Sequence, residues 1–130
     1  MTREGGCLCG AVRFKAVGEP LNVRICHCRN CQKAMGSPYF ARALFPQSAL
    51  TVSGETSRYA TSARLERVFC PRCGTRLFAW RTDGTAAGVA LATFDDPNSF
   101  APTEHIFLSN KMTWVNVDDG LKQHQELPPQ

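Results

Sequence analysis

The residues of this sequence best suited to chemistry are its seven cysteines. They fall in three clusters, and no cysteine lies outside them: Cys7-Leu8-Cys9, Cys26-His27-Cys28-Arg29-Asn30-Cys31 and Cys70-Pro71-Arg72-Cys73-Gly74. A thiolate binds Zn²⁺ at about 2.3 Å, and a short turn can aim two sulfurs at one ion. A Cys-x-Cys pair is poorly suited to a disulfide, whose Cα atoms lie about 4.4–6.8 Å apart across a twisted S–S torsion. The clusters therefore predict metal binding rather than disulfide bonds.

The number of cysteines favours two sites of different kinds. Structural zinc sites use four protein ligands, whereas catalytic sites use three and leave one position for water or substrate. One cluster is local and can converge alone on one face of a tight turn, while the two distant pairs each supply half of a tetrahedron. We call these sets the quartet (Cys7, Cys9, Cys70 and Cys73) and the triplet (Cys26, Cys28 and Cys31). Spacing alone leaves other pairings open.

The segments around the cysteines have the patterns of short β-strands. Residues 11–16 alternate apolar and charged side chains, as a half-buried strand does, and residues 21–26 alternate again into the triplet. The same reasoning predicts strands over residues 38–45, 50–52, 57–60, 65–69, 75–80, 88–94 and 106–108, with a loop over 95–103. Helix is expected only over Arg29–Met35, as a short turn that ends at Gly36. The expected fold class is therefore all-β, a small antiparallel domain with little helix.

Two turns should organise these strands. Gly54 and Glu55 predict a hairpin between residues 50–52 and 57–60. The segment 70–74 is expected to join two strands as a zinc knuckle, in which Gly74 takes a positive φ and lets backbone N–H groups point at the thiolates. Joining the two halves of the quartet would tie the first predicted strand to this knuckle. Metal bound there should contribute on the order of 10 kcal/mol to folding.

Length and composition predict one domain spanning residues 1–130. No run of about 18 apolar residues is present, so no membrane span is expected. The N-terminal residues lack an apolar signal region and lead directly into a cysteine cluster. We therefore expect the protein in the cytoplasm, where thiols stay reduced and metal ligation is favoured over disulfides.

Charge is distributed unevenly along the chain, which has a net charge of +4. Residues 1–82 contain 13 Lys and Arg against 4 Asp and Glu, whereas residues 83–130 contain 2 against 7. The basic first half could attract a small anion, although solvated strand faces are the simpler interpretation. Nucleic acid is not an expected partner, because aromatic residues do not interleave with the basic ones and the second half is acidic.

Three ordered motifs carry a resemblance to a known family: residues 5–13 (GGCLCGAVR), 26–31 (CHCRNC, followed by Gly36-Ser37) and 69–77 (FCPRCGTRL). They resemble the glutathione-dependent formaldehyde-activating enzymes, a family that also includes the centromere protein V type. The resemblance extends over about residues 5–127 and includes His105-Ile106 and Trp114. It implies a β-tent fold with two zinc ions per chain. It further implies that the quartet is a structural zinc site and that the triplet holds the catalytic zinc.

The same resemblance implies a carbon–sulfur lyase that adds a small thiol, glutathione, to formaldehyde or a related aldehyde. Three thiolates on Zn²⁺ leave a weak Lewis acid, which suits binding an incoming soft thiol better than splitting water. The alternative is a non-catalytic zinc-stabilised module that binds a small thiol, a protein or a nucleic acid.

Several other residues are weaker candidates. Arg13, Arg24, Arg29 and Lys33 could pair with glutathione carboxylates, although each is more simply a surface residue. His27 should point away from the metal as a neighbouring group or general base, and Ser37 could donate to a substrate. His105 and His124 are expected to be structural or exposed, and Trp80 and Trp114 to lie in the core.

Overall fold

The computed structural model describes residues 1–129 and contains two β-sheets and one short α-helix. The strands are β1 (Thr2–Gly6), β2 (Arg13–Val17), β3 (Asn22–Cys26), β4 (Phe40–Pro46), β5 (Leu50–Ser53), β6 (Ser57–Ser62), β7 (Leu65–Phe69), β8 (Arg76–Arg81), β9 (Ala86–Ala90), β10 (Glu104–Ile106) and β11 (Lys122–Gln123). Helix α1 spans Arg29–Met35, and single 3₁₀ turns cover Gln47–Ala49, Leu91–Thr93 and Leu108–Asn110. The all-β prediction with little helix is confirmed.

The strands form a three-stranded sheet in the order β1-β2-β5 and an eight-stranded sheet in the order β11-β10-β3-β4-β9-β8-β7-β6. Neighbouring strands are antiparallel, except that β10 runs parallel to both β3 and β11. The short β10 and β11 reach this edge through long connections rather than hairpins, which permits the parallel pairing that an antiparallel prediction omits. Within residues 1–129, no helix is long and apolar enough to cross a membrane.

The main core lies between the two sheets. Strand β2 shows the alternation that produces it, because Phe14 and Ala16 are buried while their neighbours are exposed. The Phe14 ring meets the rings of Phe78 and Phe94 edge to face, with centroids 5.3 Å apart in both pairs. Cys7 and Cys70 belong to this same cluster of buried residues.

A second, smaller cluster lies on the opposite face of the eight-stranded sheet. Adjacent residues of one strand point to opposite faces, and Phe78 belongs to the main core while Ala79 belongs to the second cluster. In strand β9, likewise, Val89 belongs to the main core and its neighbour Ala90 to the second cluster. The second cluster contains Cys26 and Cys31 of the triplet. The eight-stranded sheet therefore separates the quartet from the triplet.

Most predicted elements are present, with shifts at their ends. Helix α1 has the predicted bounds and ends at Gly36, and the segment 70–74 joins β7 to β8 with Gly74 at φ 78°. Strand β1 was not predicted, because a strand containing Gly5 and Gly6 lacks the usual side-chain alternation. The predicted strand over 88–94 ends at Ala90 in a 3₁₀ turn, and that over 106–108 instead covers Glu104–Ile106.

The predicted hairpin at Gly54 is wrong. Strand β5 pairs with β2 in the small sheet, whereas β6 pairs with β7 in the large one, so the chain crosses between sheets here. Gly54 has φ 94°, and a Cβ at this position would collide with the backbone carbonyl of Ala11. The glycine marks a close crossing of two backbone segments rather than a two-strand turn.

Gly5 provides a test of how tightly the two sheets pack. A Cβ there would lie 2.5 Å from Cζ of Phe14 and 2.8 Å from Cα of Phe94, and closer still to the carbonyl oxygen of Thr93. Because backbone atoms cannot move aside alone, we expect Gly5→Ala to lower the free energy of unfolding by about 3 kcal/mol in urea denaturation.

Gly88→Ala is the matched control for this substitution. Its Cβ would meet only the flexible side chain of Arg42, with Cδ at 2.7 Å. The arginine can shift, so a loss of about 1 kcal/mol is expected. Equal losses for the two variants would contradict the tight contact at Gly5.

Candidate functional site

The quartet is assembled by two loops that are far apart in sequence. Cys7 and Cys9 follow β1, and Cys70 and Cys73 lie in the turn between β7 and β8. The four Sγ atoms all lie within 4.8 Å of one another. The Leu8 N–H donates to the Thr75 hydroxyl oxygen at 3.1 Å and holds the two loops together. This arrangement is compact enough to hold one metal ion.

Backbone N–H groups donate hydrogen bonds to two sulfurs of the quartet, and the Thr75 hydroxyl lies beside a third. The Val12 N–H donates to Cys7 Sγ at 3.2 Å, and the Arg72 N–H donates to Cys70 Sγ at 3.4 Å. The side-chain hydrogen bond from Thr75 lowers the pKa of Cys73 to about 5. Donors aimed at sulfur stabilise thiolates, which are the metal-binding form of cysteine. The quartet residues therefore fit a bound cation.

The triplet is built by the junction between β3 and α1. Cys26 is the last residue of β3, Cys28 caps the helix, and Cys31 lies in its first turn. Their Sγ atoms lie within 4.8 Å of one another, and the Cys31 N–H donates to Cys28 Sγ at 3.3 Å. Within residues 1–129 no His, Asp or Glu joins this group as a fourth ligand.

Proximity makes the triplet thiols share protons unequally. Hydrogen bonding, first from Cys26 and then from Cys31, lowers the pKa of Cys28 to about 2. Hydrogen bonding with Cys28, and then with Cys31, raises the pKa of Cys26 well above its ordinary value. Three sulfurs this close cannot all ionise unless a cation replaces their protons, which is what metal ligation does. Both cysteine sets are free thiols, and both fit a thiophilic metal ion.

Arg67 is a functional candidate that sequence reasoning missed. It lies on β7, only 5% exposed, and its Nη2 donates to Asn30 Oδ1 at 2.7 Å and to Cys31 Sγ at 3.5 Å. Its guanidinium lies 5.7 Å from the centre of the Phe40 ring, while Nε and Nη1 are buried without hydrogen-bond partners. This positive charge compensates the negative charge of the triplet. The only sequence signal was that Arg67 shares one face of its strand with the apolar residues Leu65 and Phe69.

His27 points away from the triplet into a buried hydrogen-bonded chain, as predicted. Its Nε2 lies 2.9 Å from Nδ1 of His105, whose Nε2 lies 2.7 Å from Oδ2 of Asp119. Burial lowers the pKa of His27, and the hydrogen bond from His105 lowers the pKa of Asp119. A carboxylate at the end assigns the tautomers: His105 donates to Asp119 and accepts from His27. These hydrogen bonds from His27 through His105 to Asp119 anchor the triplet loop to the C-terminal segment.

The basic candidates separate into two groups. Arg13 pairs with Asp95 and Arg24 with Glu104, the latter at 2.7 Å, so both are committed to structural ion pairs. Arg29 and Lys33 instead line a groove of about 720 Å³. Residues of both cysteine segments line it, including Asn30 and Arg67 beside the triplet and Cys73 of the quartet.

The remaining candidates occupy other positions. Ser37 lines a second groove of about 370 Å³ together with Met112 and Trp114. Trp114 is 70% exposed, so the prediction that it is a core residue is wrong; the segment that carries it has no strand partner. Trp80 packs partly buried against the main core under the Arg58 guanidinium. His124 is structural and bonds to Glu104 at 2.8 Å.

The fold and site together define an all-β protein with two thiol clusters suited to metal. Residues 2–110 match the family described as glutathione-dependent formaldehyde-activating enzyme. An uncharacterized lyase of Schizosaccharomyces pombe is 36% identical over 129 residues, covering 92% of this chain and 94% of the relative. A putative glutathione-dependent formaldehyde-activating enzyme of Halomonas elongata is 31% identical, covering 91% of this chain and 82% of the relative.

A crystal structure of a Rhodobacter sphaeroides protein superposes with a TM-score of 0.58 at 24% identity, covering 93% of this chain and 98% of that one. This likeness confirms the fold alone. The chain belongs to the glutathione-dependent formaldehyde-activating enzyme family. The identity of the ions and the separate roles of the quartet and the triplet stay predictions.

Loss of one sulfur should have different effects at the two clusters. Cys70 is fully buried in the main core, so Cys70→Ser should remove a contribution on the order of 10 kcal/mol and unfold the protein. Cys28→Ser should lose one metal ion while the protein still melts cooperatively, because the triplet lies on the other face of the sheet. Metal analysis and thermal melting check both; unfolding of Cys28→Ser would contradict the separation.

The buried histidine chain should stabilise the triplet loop. His105→Phe leaves the His27 Nε2–H buried without an acceptor, which should lower the free energy of unfolding by about 1–3 kcal/mol. The matched control, His124→Phe, breaks only a partly exposed hydrogen bond with Glu104 and should cost about 1 kcal/mol or less. Urea denaturation measures both. Equal losses in the two variants would show that the buried histidine hydrogen bonds stabilise the protein no more than the contact between His124 and Glu104 does.

Proposed function

We propose that this protein is a zinc-dependent carbon–sulfur lyase that adds glutathione, or a related thiol, to formaldehyde or a related aldehyde at the triplet. The observation that carries the proposal is the triplet itself: three convergent thiols beside a buried arginine, with no fourth ligand among residues 1–129. Membership of the glutathione-dependent formaldehyde-activating enzyme family, and the printed names of its relatives, support the reaction class.

The two clusters take different roles in this proposal. The quartet supplies four sulfurs and shares the main core, as a closed structural zinc site would. The triplet supplies three, which is the number that leaves a ligand position for substrate. Two zinc ions per chain are the expected content. Seven free thiols suit the reducing cytoplasm, which we propose as the location of the protein.

Zinc bound by the triplet would hold the incoming thiol as a thiolate near neutral pH. The rest of the chemistry belongs to the substrates: the sulfur attacks the carbonyl carbon, a C–S bond forms, and the carbonyl π electrons move to oxygen. That oxygen takes up one proton, which balances the proton lost from the thiol. The product is a hydroxymethyl thioether, and the reverse reaction cleaves the same bond.

The protein residues hold and orient the reactants. Arg67 donates to Cys31 Sγ and withdraws negative charge from that sulfur, so the triplet repels an incoming thiolate less. Arg29 and Lys33 project into the adjacent groove, where they can meet the anionic part of the thiol. Bringing thiol and aldehyde together in one place supplies much of the rate enhancement in such an addition.

Exchange NMR tests the reaction directly. The zinc-loaded protein should accelerate exchange between free glutathione and its formaldehyde adduct at least tenfold over the rate in buffer alone. Cys28→Ser and metal-stripped wild type should return the rate to that of buffer, and zinc added back to the wild type should restore it. No acceleration by protein that carries both metal ions would favour the alternative, a non-catalytic thiol-binding module.

A further inference from the structure

Phe107 has a backbone conformation that phenylalanine rarely adopts. Its φ is 56° and its ψ is 39°, in the left-handed region, and within residues 1–129 it is the one residue other than glycine with a positive φ. In this region the Cβ of an L-residue crowds the backbone, so the conformation is costly for a bulky side chain. Such residues persist only where the surrounding structure enforces them, and they cluster at functional sites.

Backbone hydrogen bonds on both sides of Phe107 enforce this conformation. The Phe107 N–H donates to the carbonyl oxygen of Glu126 at 3.0 Å, and the Phe107 carbonyl oxygen accepts from the Asn110 N–H at 3.0 Å. The next residue is fixed as well, since the Leu108 N–H donates to the carbonyl oxygen of His124 at 3.2 Å. Contacts with the C-terminal segment thereby hold a conformation that the local sequence does not favour.

The left-handed conformation changes the direction of the Phe107 side chain. In a regular strand, consecutive side chains point to opposite faces of the sheet. Phe107 directly follows Ile106, the last residue of β10, yet Ile106 belongs to the second cluster and Phe107 packs against that same cluster. The positive φ therefore breaks the alternation and brings an aromatic ring to the side of the sheet that holds Cys26 and Cys31.

Phe107 also lies level with the triplet along the sheet. Ile106 is paired with Cys26 in the parallel ladder of β10 and β3. The Ile106 carbonyl oxygen accepts from the His27 N–H at 3.0 Å. The residue after Ile106 is therefore beside the segment that runs from Cys26 to Cys28.

The solvent-facing border of the second cluster is where a molecule can reach the sulfurs. Two sulfurs of the triplet belong to buried residues, whereas Cys28 is half-buried. The partly buried residues that pack against the cluster are Cys28, Met35, Leu65 and Phe107. Phe107 has the largest side chain of these four and the only ring. A molecule that approaches Cys28 from solvent therefore meets a border whose bulkiest part is the Phe107 ring.

We propose that the Phe107 ring is a wall beside the triplet that limits the size of the molecules able to reach its sulfurs. In the proposed reaction, this wall restricts the carbonyl partner of the thiol to the smallest aldehydes. The statement about aldehydes rests on the proposed function, whereas the wall itself does not. One methylene in an apolar pocket changes relative rates by about 10- to 200-fold, so a ring at this position can determine which aldehyde is used.

Aldehydes of different size test the wall through the reaction. Exchange NMR on the zinc-loaded protein compares formaldehyde with propanal, each in the presence of glutathione. Phe107→Ala should raise the rate with propanal, relative to that with formaldehyde, by about tenfold or more over the wild type. Unchanged preference between the two aldehydes would overturn the assignment of Phe107.

Phe100→Ala is the matched control for this comparison. Phe100 is also a partly buried phenylalanine, but it packs against the main core on the opposite face of the eight-stranded sheet. The substitution removes the same atoms at a distance from the triplet. Its preference between the two aldehydes should therefore equal that of the wild type.

Alkylation tests the wall without the reaction. Iodoacetamide is small and N-phenylmaleimide is bulky, and labelling of Cys28 in the zinc-loaded protein by each reagent can be followed by mass spectrometry. Phe107→Ala should accelerate labelling by the maleimide several-fold more than labelling by iodoacetamide. Phe100→Ala should change neither rate. Equal acceleration of the two reagents in Phe107→Ala would mean that the triplet loop had loosened, and would contradict a wall.

Two further substitutions keep the test valid if Phe107→Ala does not fold. Phe107→Gly removes the ring and leaves no Cβ in the left-handed region, so it should unfold at a higher urea concentration than Phe107→Ala. Phe107→Leu retains an apolar side chain without the ring. Both variants should change the aldehyde preference and the labelling ratio in the same direction as Phe107→Ala.

The outcomes also separate this inference from the proposed function. If no aldehyde reacts but loss of the ring favours the bulky label, the lyase proposal fails and the wall stands. If formaldehyde reacts with the wild type, but neither the aldehyde preference nor the labelling ratio changes without the ring, the wall alone fails.

Discussion

The fold depends on bringing sulfur atoms closer together than their charges allow without a cation. All sulfurs of each cluster lie within 4.8 Å of one another, where several thiolates would repel strongly. In the quartet this constraint is also a cross-link, since Cys9 and Cys70 are 61 residues apart in sequence and their sulfurs lie 3.8 Å apart. A metal ion there would fix the loop after β1 against the turn after β7. Because Cys7 and Cys70 are also core residues, the quartet and the hydrophobic core form one unit.

The eight-stranded sheet determines how the two clusters relate. Its alternating faces place the main core and quartet on one side and the triplet, with its small apolar cluster, on the other. The triplet is consequently a local structure: one strand end, one helix cap and one helical turn supply all its sulfurs. Its surroundings are not local. Arg67 comes from β7 and the His105 chain from β10, so distant segments set its charge and orientation.

Sequence reasoning succeeded where the determining interactions are short in range. The bounds of α1 followed from a local pattern ending in Gly36, and the clusters followed from cysteine spacing. It failed where pairing is decided over long distances, as at Gly54, whose turn-like pattern is also compatible with a crossing between sheets. The cations show the same limit. Arg13 lies near a cluster in sequence but pairs with Asp95, 82 residues away, whereas Arg67, remote in sequence, contacts Cys31.

The positive charges that line the groove are opposite in sign to the thiolates of the triplet and lie next to them. Under the proposed function, three thiolates on a bound dication would leave one net negative charge, which by itself would repel an anionic thiol. The buried Arg67 offsets that charge at Cys31, and three further cations line the adjoining groove. Under the proposed function, an anionic substrate would meet a positive surface before it meets the negative centre. This order would allow a soft, weakly acidic metal site to take a charged thiol, because the attraction would come from side chains that do not ligate the metal.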